Sequence, residues 1–181
     1  MDFRDKIEES LGGFENLVRK IPGYGGYKEK ELRREADRLL RDQIASEYGE
    51  QVQRLVELQG EMVSGAKIEF LEYATALDDA VRRLQTFVDR IKRAAQGYAG
   101  FFDAVKVKEE QLDALYEYDN ALLEHATTVK GRVNELVTAV DTGEGIGSTI
   151  RELVDVVQQA SVMFGHRNEA ILQAAGDEYE E

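Results

Sequence analysis

Residues 70–98 read FLEYATALDDAVRRLQTFVDRIKRAAQGY, and apolar side chains recur along them in alternating steps of four and three. This spacing fills the a and d positions of four successive heptads, which is the pattern of a coiled-coil seam. The seam predicts a helix over roughly residues 66–96 that packs against other helices. Its members are Phe70, Ala74, Leu77, Val81, Leu84, Val88, Ile91, Ala95 and Tyr98.

Apolar residues recur at a similar helical spacing on both sides of this segment. This spacing predicts a helix that starts near Lys28, a helix over roughly residues 104–141, and a last helix that starts at Thr149. Between the last two lies DTGEGIGS (141–148), a glycine-rich loop, and Thr149 with Glu152 has the spacing of a capping box. The chain contains a single proline, which favours long uninterrupted helices. The predicted fold class is therefore all-α.

The stretch LQGEMVSGAK (58–67) leaves two architectures open. Its glycines and serine suggest a turn, which gives an antiparallel four-helix bundle. Its apolar stripe nevertheless continues without a phase jump, and each interior glycine costs only about 1 kcal/mol relative to alanine. A continuous helix over residues 28–96 would be about 100 Å long and would give an elongated coiled-coil hairpin.

Charge suggests which helices pair. The basic block at residues 90–93 ends the second predicted helix, and the acidic block at residues 109–113 begins the third. Across a short turn the two blocks would face each other, which predicts antiparallel pairing of these two helices.

The sequence predicts four segments along the chain. Residues 1–21 are predicted to form an amphipathic helix, residues 22–27 a glycine- and tyrosine-rich hinge, residues 28–176 the helical domain, and residues 177–181 an acidic tail. The N-terminal stripe and the hinge tyrosines are expected to dock on the chain's own bundle, on a neighbouring subunit or on a membrane. The candidate interaction residues are Phe3, Ile7, Leu11, Phe14, Leu17, Ile21, Tyr24 and Tyr27.

Composition argues against several functions. The net charge is −13, and residues 109–181 carry four Lys or Arg against sixteen Asp or Glu, so we expect no nucleic-acid partner. Cysteine is absent, which excludes disulfides and thiolate chemistry. Neither a signal-peptide core nor a run of 18 apolar residues is present, so a cytoplasmic location is expected.

Asp119 is the most unusual polar residue, because it occupies an a or d slot between Leu115 and Leu122. A buried carboxylate needs a partner, and the candidates are the Arg82–Arg83 pair and Tyr73; alternatively, Asp119 lies at the edge of the seam. If buried, it is predicted to determine the register or the oligomeric state.

Metal chemistry receives little support from the sequence. Neither histidine, His125 or His166, has a glutamate three residues before it, so the Glu-x-x-His pattern of di-iron bundles is absent. His125 is expected to pair with a carboxylate at the rim of the seam. A purely carboxylate site is the remaining alternative, and its candidate ligands are Glu69, Glu72, Asp119 and Glu124.

The predicted function is that of a non-enzymatic structural or adaptor protein that self-associates or docks a protein partner through helical seams, without cofactor or small-molecule substrate. The first alternative is a peripheral membrane scaffold that uses residues 1–21, and the second is a carboxylate-metal bundle. A short amphipathic helix, a proline and then long coiled helices resemble the plan of bacterial phage-shock and ESCRT-III-type membrane-remodelling proteins. The resemblance is architectural, and the acidic N-terminal helix departs from that pattern.

Overall fold

The protein is an all-α helical bundle. The computed structural model describes residues 25–64, 71–94 and 109–176. Within these ranges the chain forms four helices and no strand, which confirms the predicted fold class. The helices are α1 (Gly25–Ser64), α2 (Leu71–Ala94), α3 (Glu109–Thr142) and α4 (Ile146–Gly176). None of them is both long and apolar enough to cross a bilayer.

Each helix packs along two others. Helix α1 lies against α2 and α3, and α4 lies against the same two helices. The four axes therefore form a square in which α1 faces α4 across one diagonal and α2 faces α3 across the other.

Side-chain contacts give the helix directions. Tyr48 and Arg54 of α1 contact Leu122 and Asn134 of α3 in the same order, so α1 and α3 run parallel. In the α3–α4 pair the order reverses, because Asp119 contacts Arg167 whereas Arg132 contacts Glu152. Helix α4 in turn runs parallel to α2, since Gly147 lies beside Tyr73 and Phe164 beside Phe87. The helices thus alternate in direction along the chain, while the lateral neighbours α1–α3 and α2–α4 are parallel.

The core consists of the predicted seams together with additional flanking positions. A helix with two neighbours buries a wider stripe than a two-stranded coiled coil, which explains why Ala80 and Phe87 join the α2 seam. Val81, a predicted seam residue, is only partly buried. The buried apolar residues of α1, α2 and α3 that keep this helical spacing are Leu40, Ile44, Tyr48, Val52, Leu55, Leu58, Met62, Leu77, Leu84, Val88, Ile91, Leu122, Ala126, Val129, Val133, Leu136 and Val140.

The chain reverses between α1 and α2, as the turn alternative predicted. Helix α1 continues through Gly60 to Ser64, whose hydroxyl donates a hydrogen bond to the Gly60 carbonyl. Because α2 packs back along α1, the single rod over residues 28–96 is wrong and the bundle alternative is correct. Helix α1 ends at Ser64 and α2 begins at Leu71, and residues 65–70 between them lie outside the described residues.

The predicted pairing of α2 with α3 is wrong. These helices lie across the diagonal, and the basic end of α2 contacts α4 instead: the Arg90 guanidinium lies 5.8 Å from the centre of the Phe164 ring. Charge blocks at exposed helix ends are worth only about 0–1 kcal/mol per pair. Burial of Phe87 and Phe164 involves larger energies and therefore decides which helices become neighbours.

The α3–α4 connection is shorter than the predicted loop over residues 141–148. Only Gly143, Glu144 and Gly145 separate the two helices, and both glycines have positive φ, 78° and 72°. The Gly143 N–H donates to the Ala139 carbonyl at 2.9 Å, as in a left-handed helix cap.

The predicted starts of α1 and α4 lie too late in the chain. Helix α4 begins at Ile146, so Thr149 is inside it, and the Glu152 carboxylate accepts from Arg132 on α3 rather than closing a capping box. Helix α1 begins at Gly25, so the second half of the predicted hinge 22–27 is helical. In both cases glycines continue into the first turn of the helix.

Replacing Gly143 with alanine is expected to lower the free energy of unfolding by about 1–2 kcal/mol, because its φ of 78° crowds a Cβ atom. Gly131 is the matched control: it lies inside α3, where an added Cβ meets nothing within 4 Å. Gly131→Ala is expected to stabilise the protein by about 0.5–1 kcal/mol. Urea unfolding of both variants measures the difference, and equal effects would contradict this explanation.

Candidate functional site

The main polar feature of the described core is the ion pair between Asp119 of α3 and Arg167 of α4. Asp119 is 1% exposed and Arg167 is 0% exposed. The arginine Nε donates to Asp119 Oδ1 at 2.6 Å, and one terminal nitrogen donates to Oδ2 at 3.1 Å. This two-point geometry suits the planar guanidinium and compensates for the cost of removing both charges from water.

Both partners predicted for Asp119 are wrong, and so is its predicted position at the edge of the seam. Helix α2, which carries Arg82, Arg83 and Tyr73, lies across the diagonal from α3. Arg82 and Arg83 instead pair with aspartates one turn earlier on their own helix, on the bundle surface. A role of Asp119 in register or oligomeric state stays a prediction.

Arg167 was missed by sequence reasoning, although a signal for it exists. Ala160, Phe164 and Arg167 follow one another in steps of four and three, so the apolar stripe of α4 leads directly to an arginine. Arg167 interrupts the apolar stripe of α4 and Asp119 interrupts that of α3. Pairing these two oppositely charged residues would have identified the ion pair.

A second polar group lies one turn further along α3. The buried hydroxyl of Tyr48 donates to the Leu122 carbonyl at 2.9 Å and lies 3.4 Å from His125 Nδ1. The other ring nitrogen of His125 lies 3.5 Å from Gln159 Oε1. Burial raises the pKa of Tyr48, so its hydroxyl stays protonated and acts as a donor. The contacts recorded for His125 are thus to a hydroxyl and an amide rather than to the predicted carboxylate.

The candidate metal ligands do not converge. Asp119 is engaged by Arg167, and Glu124 is exposed. Glu72 lies beside Tyr73, near the start of α4 at the opposite end of the bundle. Glu69 is outside the described residues. In the part of the chain that the structure describes, no three histidine, aspartate or glutamate side chains form a cluster that could hold a metal ion.

Two open grooves run between helices on the bundle surface. One, of about 460 Å³, lies between α2 and α4 and is lined by Arg82, Arg83 and Arg90 above an apolar floor. The other, of about 690 Å³, lies between α1 and α2. These grooves are formed by helix packing, so sequence periodicity could not locate them.

The predicted interaction residues cannot be placed in the structure. Phe3, Ile7, Leu11, Phe14, Leu17, Ile21 and Tyr24 lie outside the described residues. Tyr27 belongs to the first turns of α1, but its side chain is not among those described.

Comparison with known proteins adds no functional assignment. No protein family, curated protein or solved structure matches this chain.

Proposed function

We propose that this chain is a non-enzymatic structural or adaptor protein that binds a protein chain, its own copy or another, on the outer surface of its bundle. The observation that carries this proposal is that polar side chains in the core contact other helices of the same bundle. Asp119 and Arg167 engage each other, and the Tyr48 hydroxyl donates to a main-chain carbonyl. These contacts hold helices together, whereas the grooves between helices remain open on the outside.

The seams themselves are occupied within one molecule. Leu77, Leu84 and Ile91 of the α2 seam are fully buried against the other helices. A second chain could use this seam only by displacing the core, which would cost about 1.5–3 kcal/mol for each large side chain exposed. Docking on the outer surface is therefore the form of association that the bundle favours.

The experiment places a photoreactive benzoylphenylalanine at Ser46, Thr86 or Thr128, which are exposed positions on three different helices. Protein adducts should concentrate at one position, and the cross-linked species, once purified, should rebind the full chain saturably. Light scattering then distinguishes a second copy of the chain from a different protein.

Two results would contradict the proposal. One is adducts spread evenly over the three positions without saturable rebinding. The other is adducts to lipid alone, which would instead support the peripheral membrane scaffold.

A further inference from the structure

The α2 side of the groove between α2 and α4 is about three helical turns long. The two helices run parallel, and the α2 side of the groove extends from Asp79 to Arg90, a rise of about 16 Å. Phe87 and Val157 form part of its lining and are almost completely buried. Polar side chains of α4, Gln158 and Ser161, line the opposite side.

This groove is positively charged on an acidic protein. Three arginines line it, and Arg82 and Arg83 contact Asp78 and Asp79, which leaves a formal charge of +1, while the chain as a whole carries −13. The side chains of Arg82 and Arg83 are 72% and 49% exposed although each contacts an aspartate, so both can reach a further anion. Arg90 is exposed as well. The groove therefore attracts acidic polypeptide.

The groove between α1 and α2 provides an internal comparison. It is the larger of the two, but Asp42 and Glu50 there balance Arg54 and Lys92, so its formal charge is zero. Volume alone would favour the α1–α2 groove as a docking site, whereas charge favours the α2–α4 groove as the site for an acidic segment.

The chain itself contains a segment of complementary chemistry. Residues 2–15, DFRDKIEESLGGFE, carry five carboxylates and two basic side chains, a formal charge of −3. Four large apolar side chains recur through them in steps of four, four and three: Phe3, Ile7, Leu11 and Phe14. Fourteen residues in a helix would span about 21 Å, comparable to the groove.

We infer that the groove between α2 and α4 is the docking site for residues 2–15 of this chain, from the same molecule or from a second copy. Carboxylates of the segment contact Arg82, Arg83 and Arg90, and its apolar side chains face the bundle surface between α2 and α4. The inference rests on the proposed function, because it identifies the polypeptide that the outer surface binds.

Disulfide trapping tests this placement directly, because the natural chain contains no cysteine. Ser10→Cys is combined in the full chain with Ser161→Cys in the α2–α4 groove, or with Ser46→Cys in the α1–α2 groove as the matched control. Under mild oxidation the pair with Ser161→Cys should form a disulfide about tenfold faster, because docking raises the local concentration of the thiol. Non-reducing electrophoresis distinguishes a bond within one chain from a bond between two copies, and either supports the inference.

Charge reversal tests the chemistry of recognition. Added to the Ser10→Cys/Ser161→Cys chain, Arg90→Glu should slow trapping roughly fivefold, whereas Lys92→Glu, the same change in the other groove, should leave it unchanged. Glu8→Lys with Glu9→Lys should restore the rate in the Arg90→Glu chain. A merely structural effect of Arg90 would not be rescued in this way, and circular dichroism checks that each variant remains helical.

Equal trapping at Ser161→Cys and Ser46→Cys would overturn the inference, and so would equal effects of Arg90→Glu and Lys92→Glu. Binding to phosphatidylserine vesicles that requires residues 1–21, without preferential trapping at Ser161→Cys, would also overturn it and assign the segment to a membrane. A separate protein that still binds saturably in the photo-cross-linking experiment would leave the proposed function intact.

Discussion

Replacing Asp119 with alanine is expected to lower the free energy of unfolding by about 3–5 kcal/mol. The change removes the carboxylate that accepts two hydrogen bonds from the fully buried Arg167 guanidinium, and losing one partner of a buried ion pair is far more costly than losing one exposed hydrogen bond. Urea unfolding at neutral pH measures the effect. The matched control is Asp79→Ala, which breaks the half-exposed pair with Arg83 and should cost at most about 1 kcal/mol.

A double-mutant cycle separates the pair from its surroundings. Asp119→Leu and Arg167→Met should each destabilise the bundle strongly, but the double variant should recover most of the loss, because two apolar side chains can replace a buried ion pair. If the losses of the two single variants simply add, the side chains are not coupled and the explanation fails.

Replacing Phe87 with alanine is expected to cost about 3–5 kcal/mol. Its ring meets the Tyr48 ring edge-on at 4.8 Å and the Phe164 ring at 6.0 Å, so truncation opens a cavity where α1, α2 and α4 meet. Thermal and urea unfolding report the loss. Val56→Ala, at a position that is 50% exposed, should stay within about 0.5 kcal/mol of the natural protein. A Phe87→Ala variant close to that value would show that the three helices do not depend on this contact.

The helices and their buried faces could be predicted because both follow from local periodicity. Leu77, Leu84 and Ile91 recur at the spacing that brings side chains onto one side of a helix, and this side is buried whichever helix covers it. The outlier at Asp119 was equally visible, since a carboxylate interrupts an otherwise apolar series.

The neighbours of each helix could not be predicted in the same way. Periodicity shows that a face of α2 is buried but does not show whether α3 or α4 covers it. The charged blocks at the ends of α2 and α3 favoured the wrong partner, because exposed charges contribute less than the contact between Phe87 and Phe164. The partner of Asp119 could not be predicted for the same reason. The ion pair with Arg167 forms only because α3 lies beside α4.

The candidate docking groove illustrates the same limit from the outside of the bundle. Arg82, Arg83 and Arg90 lie in one region of the α2 surface whenever this segment is helical. The groove forms only because α4 lies beside them. The sequence shows that residues 2–15 are amphipathic, but it does not show where they dock, because the groove exists only once the helices are packed.

The parallel neighbours α1–α3 and α2–α4 mean that the hairpin α1–α2 and the hairpin α3–α4 are stacked by translation, one layer upon the next. Consecutive repeats of helical solenoids are related in this way, whereas a closed up-and-down bundle places antiparallel helices side by side. Here α1–α2 and α3–α4 cover each other's apolar faces, so each hairpin completes the core of the other.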